Sequence, residues 1–133
     1  MNTNTGTIIK DKNGKVIMAI ADSRSANLRG ANLIFADLRG LNLSKANLSN
    51  ADLADADLSN ADLTFAKLEG VNFTNAKLNG AKFCDADLSG ANLGFADLKG
   101  ADFTRACFVS TNIGNADLTL ANTSEVYLGW ANS

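Results

Sequence analysis

The sequence predicts an all-β solenoid in which four-sided coils of about twenty residues stack on one another. Three observations predict it: an apolar residue recurs every five positions, Asp or Asn stands before it in 17 of 22 units, and two kinds of corner residue alternate. The chain has 133 residues, which suits one domain. With 46% apolar and 20% charged residues, its composition is that of a folded protein.

The five-residue unit runs from Ala26 to the end of the chain, and we denote its recurrent apolar position i. Position i is Leu in 15 of 22 units and Phe in 4, and position i−2 is Ala in 18. A period of five produces neither an apolar stripe on an α-helix nor a single apolar face on a long strand. Within one unit, however, positions i−2 and i share one side of a short extended segment, and the next two residues favour a turn. Each unit therefore predicts one side and one corner of a coil, with Ala and Leu inside and Asp or Asn outside.

The corner position i+2 indicates how many units close a coil. At residue numbers ending in 0 it is mostly Gly or Asn, as at Gly30 and Asn50, whereas at numbers ending in 5 it is often bulkier, as at Phe35 and Lys45. Corners of the same type stack on one another only when a coil holds an even number of units. A coil of three units would stack Gly on Phe, so we predict four units per coil. Because Gly and Asn readily adopt positive φ, we expect the first corner type to need it and the second to be built without it.

These units resemble those of the pentapeptide-repeat family, as in the run ANLSNADLADADLSNADLTF. The resemblance covers residues 26 to about 122 and implies a right-handed quadrilateral parallel β-helix. Its 22 units, four to a coil, would form about 5.5 coils. We therefore assign residues 26–122 to the β-helix, residues 1–25 to an N-terminal segment with a β-hairpin cap, and residues 123–133 to degenerate last repeats.

The two ends of the solenoid need covers, because each exposes unpaired backbone. Residues 7–20 predict a hairpin around Asn13-Gly14 that covers the first coil. At the other end, Tyr127 and Trp130 stand where the repeat loosens. They would either close the end of the core as a C-terminal cap or form a homodimer contact.

The composition argues against an enzyme and against nucleic-acid binding. The chain lacks His, the commonest general base and metal ligand, and its formal charge is only −2. The many carboxylates follow from the repeat, so we expect no catalytic residue, cofactor site or metal site. Cys84 and Cys107 are expected to be outward-facing free thiols. The start of the chain has no secretory signal pattern and no apolar run is long enough to cross a membrane, so we predict a cytoplasmic protein without membrane contact.

Stacking also places outward charges above one another. In particular, Lys77 is predicted to lie between Asp57 and Asp97, one coil away on either side. A Lys in this place would relieve the repulsion between stacked carboxylates, and as an exposed ion pair it would contribute about 0.2–1 kcal/mol.

The remaining candidates for function are aromatic. We predict an interaction surface formed by Phe35, Phe65, Phe95, Tyr127 and Trp130, since exposed aromatic residues are typical of interfaces. The alternative is that the three Phe rings lie flat over the corners and only cover backbone.

Two functions follow from these observations. The first is a non-catalytic protein-interaction or structural scaffold, for a partner that the sequence does not identify. The second is implied by the resemblance: some pentapeptide-repeat proteins imitate DNA and bind DNA gyrase or topoisomerase, conferring quinolone resistance or toxin immunity. Imitating a duplex requires a long and strongly negative surface, which a net charge of −2 does not supply.

Overall fold

The computed structural model describes residues 6–129, which form a β-hairpin followed by a β-helix. Strand β1 spans Thr7–Asp11, β2 spans Val16–Ile20 and β3 spans Ala36–Asp37. They form one antiparallel sheet in the order β2-β1-β3, so the hairpin is joined to the first coil through β1. The carboxylate of Asp11 closes the hairpin loop by accepting the N–H groups of Asn13 and Lys15, at 2.8 and 2.9 Å.

The β-helix is held by parallel pairing between residues that are twenty positions apart. Each side pairs at its outward residue i−1, from Asn27 with Asn47 to Cys107 with Tyr127. Each pair is joined by two bonds: the N–H of Leu28, for example, donates to the carbonyl of Asn47 at 2.7 Å, and the N–H of Asn47 donates to the carbonyl of Ala26 at 2.8 Å. The predicted period of four units per coil is confirmed, because four five-residue sides separate the partners.

The interior is filled by position i. From Leu33 to Phe103, the Leu and Phe side chains at this position are 0–2% exposed, and most of the Ala residues at i−2 are equally buried. Four phenylalanines stack within the lower coils: the rings of Phe83 and Phe103 lie parallel at 4.7 Å between centroids, and Phe73 and Phe108 contact them edge-on. Burial of each such side chain contributes about 1.5–3 kcal/mol before conformational entropy is subtracted.

The corners differ from the sequence prediction. Every described corner has the same turn, in which the N–H of i+3 donates to the carbonyl of i, as from Ala31 to Leu28 at 3.0 Å. Residue i+2 has φ between +56° and +71° at all of them, whether it is Gly30 or Phe35. The expectation that the bulky corners avoid positive φ is therefore wrong. The cause is the hydrogen bonding between coils. The N–H of i+2 donates to a backbone carbonyl of the next coil, as from Phe35 to Ala54 at 3.1 Å, so all stacked corners must share one backbone geometry.

The structure also explains why Asp or Asn precedes the apolar residue. The side-chain oxygen of i−1 accepts the N–H of i+1, as from Asp102 to Thr104 and from Asn72 to Thr74, both at 3.0 Å. Such Asx turns fix the chain as it enters the corner. Where Lys77 or Lys82 occupies i−1, no such bond can form, because an ammonium group has no acceptor.

Candidate interaction surface

The three predicted Phe residues are exposed but do not form one patch. Phe35, Phe65 and Phe95 are 41, 56 and 63% exposed. Phe35 and Phe95 lie on one corner line, three coils apart, at about 14 Å for coils spaced like neighbouring strands. Phe65 lies on the opposite corner line. Their role in binding stays a prediction, and any partner that contacts all three would have to wrap around the solenoid.

Phe35 is partly covered by the hairpin. The ammonium group of Lys12 lies 4.5 Å from the centre of its ring, and the N–H of Lys12 donates to the carbonyl of Phe35 at 2.9 Å. A cleft of about 250 Å³ opens beside this contact, and Asp55 and Lys77 belong to its lining. This side of the N-terminal end therefore presents an aromatic ring together with charges of both signs.

The C-terminal end exposes apolar groups that the repeat keeps inside elsewhere. Leu128, at position i, is 71% exposed, and Ile113 is 40% exposed. Tyr127 is 52% exposed, while Val126 packs against the core. Trp130, the fifth predicted surface residue, lies outside the described residues.

Charged groups on the sides neutralise one another locally. The predicted stacking of Lys77 between Asp57 and Asp97 is confirmed by the backbone pairing. The ion pairs themselves use corner residues: Arg39 Nε lies 2.8 Å from Asp37, and Arg105 Nε lies 3.0 Å from Asp85. Along the stacked residues from Asp37 to Asp117, the row of aspartates is therefore interrupted by the positive charge of Lys77.

Local hydrogen bonds lower the pKa of two carboxyl groups on the sides, Asp37 and Asp102. The guanidinium of Arg39 lowers the pKa of Asp37 through their hydrogen bond, and the hydroxyl and N–H of Thr104 lower the pKa of Asp102. These groups stay ionised at neutral pH, as hydrogen-bonded acceptors rather than proton donors. They are structural carboxylates, and their pKa values give no sign of acid–base catalysis.

Both cysteines are free and half-buried. Burial raises the pKa of the Cys84 thiol, and its hydrogen bond to Asp102 raises it further. The Sγ atom of Cys107 lies 3.3 Å from the hydroxyl oxygen of Ser89. Because the thiolate is the nucleophile, the raised pKa makes Cys84 a poor one at neutral pH.

Neither a metal site nor a membrane span is found in the part of the chain that the structure describes. Within residues 6–129, no three His, Cys, Asp or Glu side chains are grouped so that they could hold a metal ion. No helix in this range could span a bilayer. Every buried polar side-chain atom in the same residues has a hydrogen-bond partner, so the interior holds no polar group awaiting a ligand.

The sequence predictions did not include one feature of the surface, an area without charged residues on the lower coils. The stacked segments 89–95 and 109–115 contain no charged residue, and they carry glycine at i+1 as Gly94 and Gly114. A search for departures from the repeat could have found it, because i+1 is otherwise mostly Ser, Thr or a charged residue.

Comparison with known proteins identifies the family. The profile of the pentapeptide repeats matches eight copies in this chain, over residues 26–64, 66–105 and 86–122. No curated protein matches. Among solved structures, the chain is similar to the pentapeptide repeat protein Rfr23 from the cyanobacterium Cyanothece 51142, with 27% identity, a TM-score of 0.68, and coverage of 79% of this chain and 89% of Rfr23.

Two further structures extend the comparison. HetL, a pentapeptide repeat protein involved in heterocyst differentiation regulation in the cyanobacterium Nostoc sp. strain PCC 7120, is 32% identical, with a TM-score of 0.39 and coverage of 78% of this chain and 60% of HetL. QnrB1, a plasmid-mediated fluoroquinolone resistance protein, is 18% identical, with a TM-score of 0.37 and coverage of 81% of this chain and 62% of QnrB1. The matching profile covers well over half of the chain and describes a structural repeat rather than an enzyme. The chain therefore belongs to the pentapeptide-repeat family.

Proposed function

We propose that this protein is a non-catalytic scaffold on whose surface protein partners dock. The observation that carries the proposal is the contrast between a fully packed interior and a rigid exterior that nevertheless exposes Phe35 and Phe95. Among residues 6–129, the buried side chains include no acid or base that desolvation could tune for catalysis. Exposed aromatic rings, in contrast, are typical anchors of protein interfaces.

The ends would complete this scaffold. The hairpin acts as the N-terminal cap, since Ile9 is 1% exposed and Met18 and Ile20 pack against the core. At the other end, the exposed Leu128 and Tyr127 suit either a cover from the last residues of the chain or a homodimer contact. Light scattering of the wild type and a Leu128→Ser variant separates the two, because only a dimer would lose mass.

We also propose a cytoplasmic location, because two free thiols persist in a reducing compartment. The alternative function, imitation of DNA toward a topoisomerase, is disfavoured by the charges. The line of Asp37, Asp57, Asp97 and Asp117 is interrupted by Lys77. A gyrase supercoiling assay with micromolar protein tests this alternative directly, and inhibition or protection from quinolones would restore it.

A pull-down from native cells tests the docking proposal. The variant replaces both Phe35 and Phe95 by Asn, the residue that already occupies this corner line at 75 and 115 with the same positive φ. The matched control is Lys45→Asn, which lies on the opposite corner line and has the same positive φ. We expect proteins captured by the wild type and the control to be lost from the double variant, as truncation of an interface anchor typically costs about 2 kcal/mol or more. Identical captures by all three chains would refute the proposal.

A further inference from the structure

The N-terminal end of the solenoid presents a strand with an open edge. β1 pairs antiparallel with both β2 and β3, so β2 runs parallel to β3 and to the stacked sides that follow β3 down the solenoid. β2 is the outermost strand of its sheet, and no strand in the described part of the chain pairs with its outer edge. β2 therefore offers free backbone groups in the direction that a further coil would have.

The last described coil presents the complementary edge on the same side of the solenoid. One coil above it, the N–H of Leu98 donates to the carbonyl of Asp117 at 2.8 Å, and the carbonyl of Ala96 accepts the N–H of Asp117 at 3.0 Å. The equivalent groups of the last coil are the N–H of Leu118 and the carbonyl of Ala116. Neither has a backbone partner in the part of the chain that the structure describes. A strand that runs in the same direction as the sides would satisfy both.

Both ends also leave apolar side chains incompletely covered. At the N-terminal end, Ile17, Met18 and Ile20 of β2 are only partly buried where they pack against the core. At the other end, Leu118 is partly buried and Leu128 is 71% exposed. If the last coil of one copy met β2 of another, these side chains would continue the packed interior and lose their contact with water, which favours association.

The charges favour contact between unlike ends. Residues 7–20 carry three Lys and one Asp, a net charge of +2, whereas residues 106–133 carry Asp117, Glu125 and no Lys or Arg, a net charge of −2. Two copies of the same end would therefore repel each other, and opposite ends attract. Lys15, which directly precedes β2, is exposed and forms no ion pair with another described residue. It is free to meet an outward carboxylate such as that of Asp117.

We propose that copies of this chain associate head to tail, with β2 of one copy paired to side 116–118 of the next and Lys15 beside Asp117. Strand direction, apolar surface and charge all match in this arrangement. It joins two different surfaces, so it does not close at two copies and produces a row of solenoids. The inference builds on the contact between copies considered above for the C-terminal end, and it assigns the surface of the second copy. It is separate from docking at Phe35 and Phe95, because the pull-down can lose its proteins whether or not copies associate.

Analytical ultracentrifugation of the full chain over a range of concentrations, at about 20 mM and about 500 mM salt, tests the proposal. At low salt we expect a mass that rises with concentration beyond that of a dimer, and at high salt we expect weaker association, because salt screens the attraction between unlike ends. A contact between two C-terminal ends would behave differently in both respects. It would stop at two copies, and it would strengthen with salt.

Charge reversal identifies the two surfaces. Lys15→Glu and Asp117→Lys should each weaken association at least about fivefold. A mixture of the two variants should associate again, because the reversed charges then face each other. Asp117→Lys should fold, since Lys77 occupies the equivalent position two coils above.

The control Lys45→Glu lies on a corner line where Glu125 already has the same positive φ, and it should associate like the wild type. The proposal is overturned if the wild type stays monomeric at low salt or stops at two copies. It is also overturned if Lys15→Glu associates as tightly as the wild type, or if the mixture of the two reversed variants stays monomeric.

Discussion

Replacing a corner glycine by alanine should be more harmful at Gly70 than at Gly100, although the two have the same φ of +66°. A Cβ atom at Gly70 would collide with Oδ1 of Asn50, which lies one coil above, whereas a Cβ at Gly100 meets nothing within 4 Å. Both variants place alanine in the left-handed region, at a cost of about 1–2 kcal/mol. Restriction of the unfolded chain offsets about 0.4–1 kcal/mol of this. Gly100→Ala should therefore lower the free energy of unfolding by about 1 kcal/mol.

Gly70→Ala adds the displacement of the Asn50 side chain. Forcing that side chain away from its preferred rotamer costs about 0.5–1.5 kcal/mol, so the total loss should be about 2 kcal/mol. Urea unfolding of both variants measures the difference, and a double-mutant cycle with Asn50→Gly measures its cause. We expect the extra loss to vanish in the Asn50→Gly background. Equal losses for Gly70→Ala and Gly100→Ala, or an extra loss that survives Asn50→Gly, would refute the reasoning.

Two further predictions concern the core and the carboxylates. Phe103→Ala should lower the free energy of unfolding by about 3–5 kcal/mol, because the ring is fully buried against two other rings, and urea unfolding that shows less than about 1 kcal/mol would contradict the packing. Asp102→Asn should flatten the acid side of the pH–Tm profile. The folded pKa of Asp102 lies below its unfolded value, so its stabilisation is present above pH of about 4 and is lost as the pH falls through the folded pKa. Asparagine keeps the acceptor for Thr104 but does not titrate, and a profile identical to that of the wild type would contradict this account.

The sides of the coils could be predicted from the sequence because their signal is repeated. The pattern of Ala51 and Leu53, repeated in the other units, predicts which side chains point inward. The alternation of corner residues limited a coil to an even number of units, of which four was predicted. The stacking of Lys77 between aspartates followed from the period alone.

The corners could not be predicted correctly, because residue type and backbone conformation are separate there. A bulky residue such as Phe35 rarely adopts positive φ, so its residue type alone predicts a corner with negative φ. The hydrogen bond from the N–H of Phe35 to the carbonyl of Ala54 requires positive φ instead, because a corner with another φ could not form this bond to the next coil. Local preference is thus overruled by a long-range requirement that a single unit does not contain.

The same requirement shows where function can be sought in such a protein. The ladder fixes the backbone of every side and corner, and the packed interior fixes positions i and i−2, so only the outward residues are left to vary. Most of these are still explained by the fold, as Asp102 is by its bond to Thr104. Phe95 is not, because Asn75 shows that this corner line accepts a polar residue with the same positive φ. A ring that is 63% exposed at such a corner is better explained by a partner than by packing.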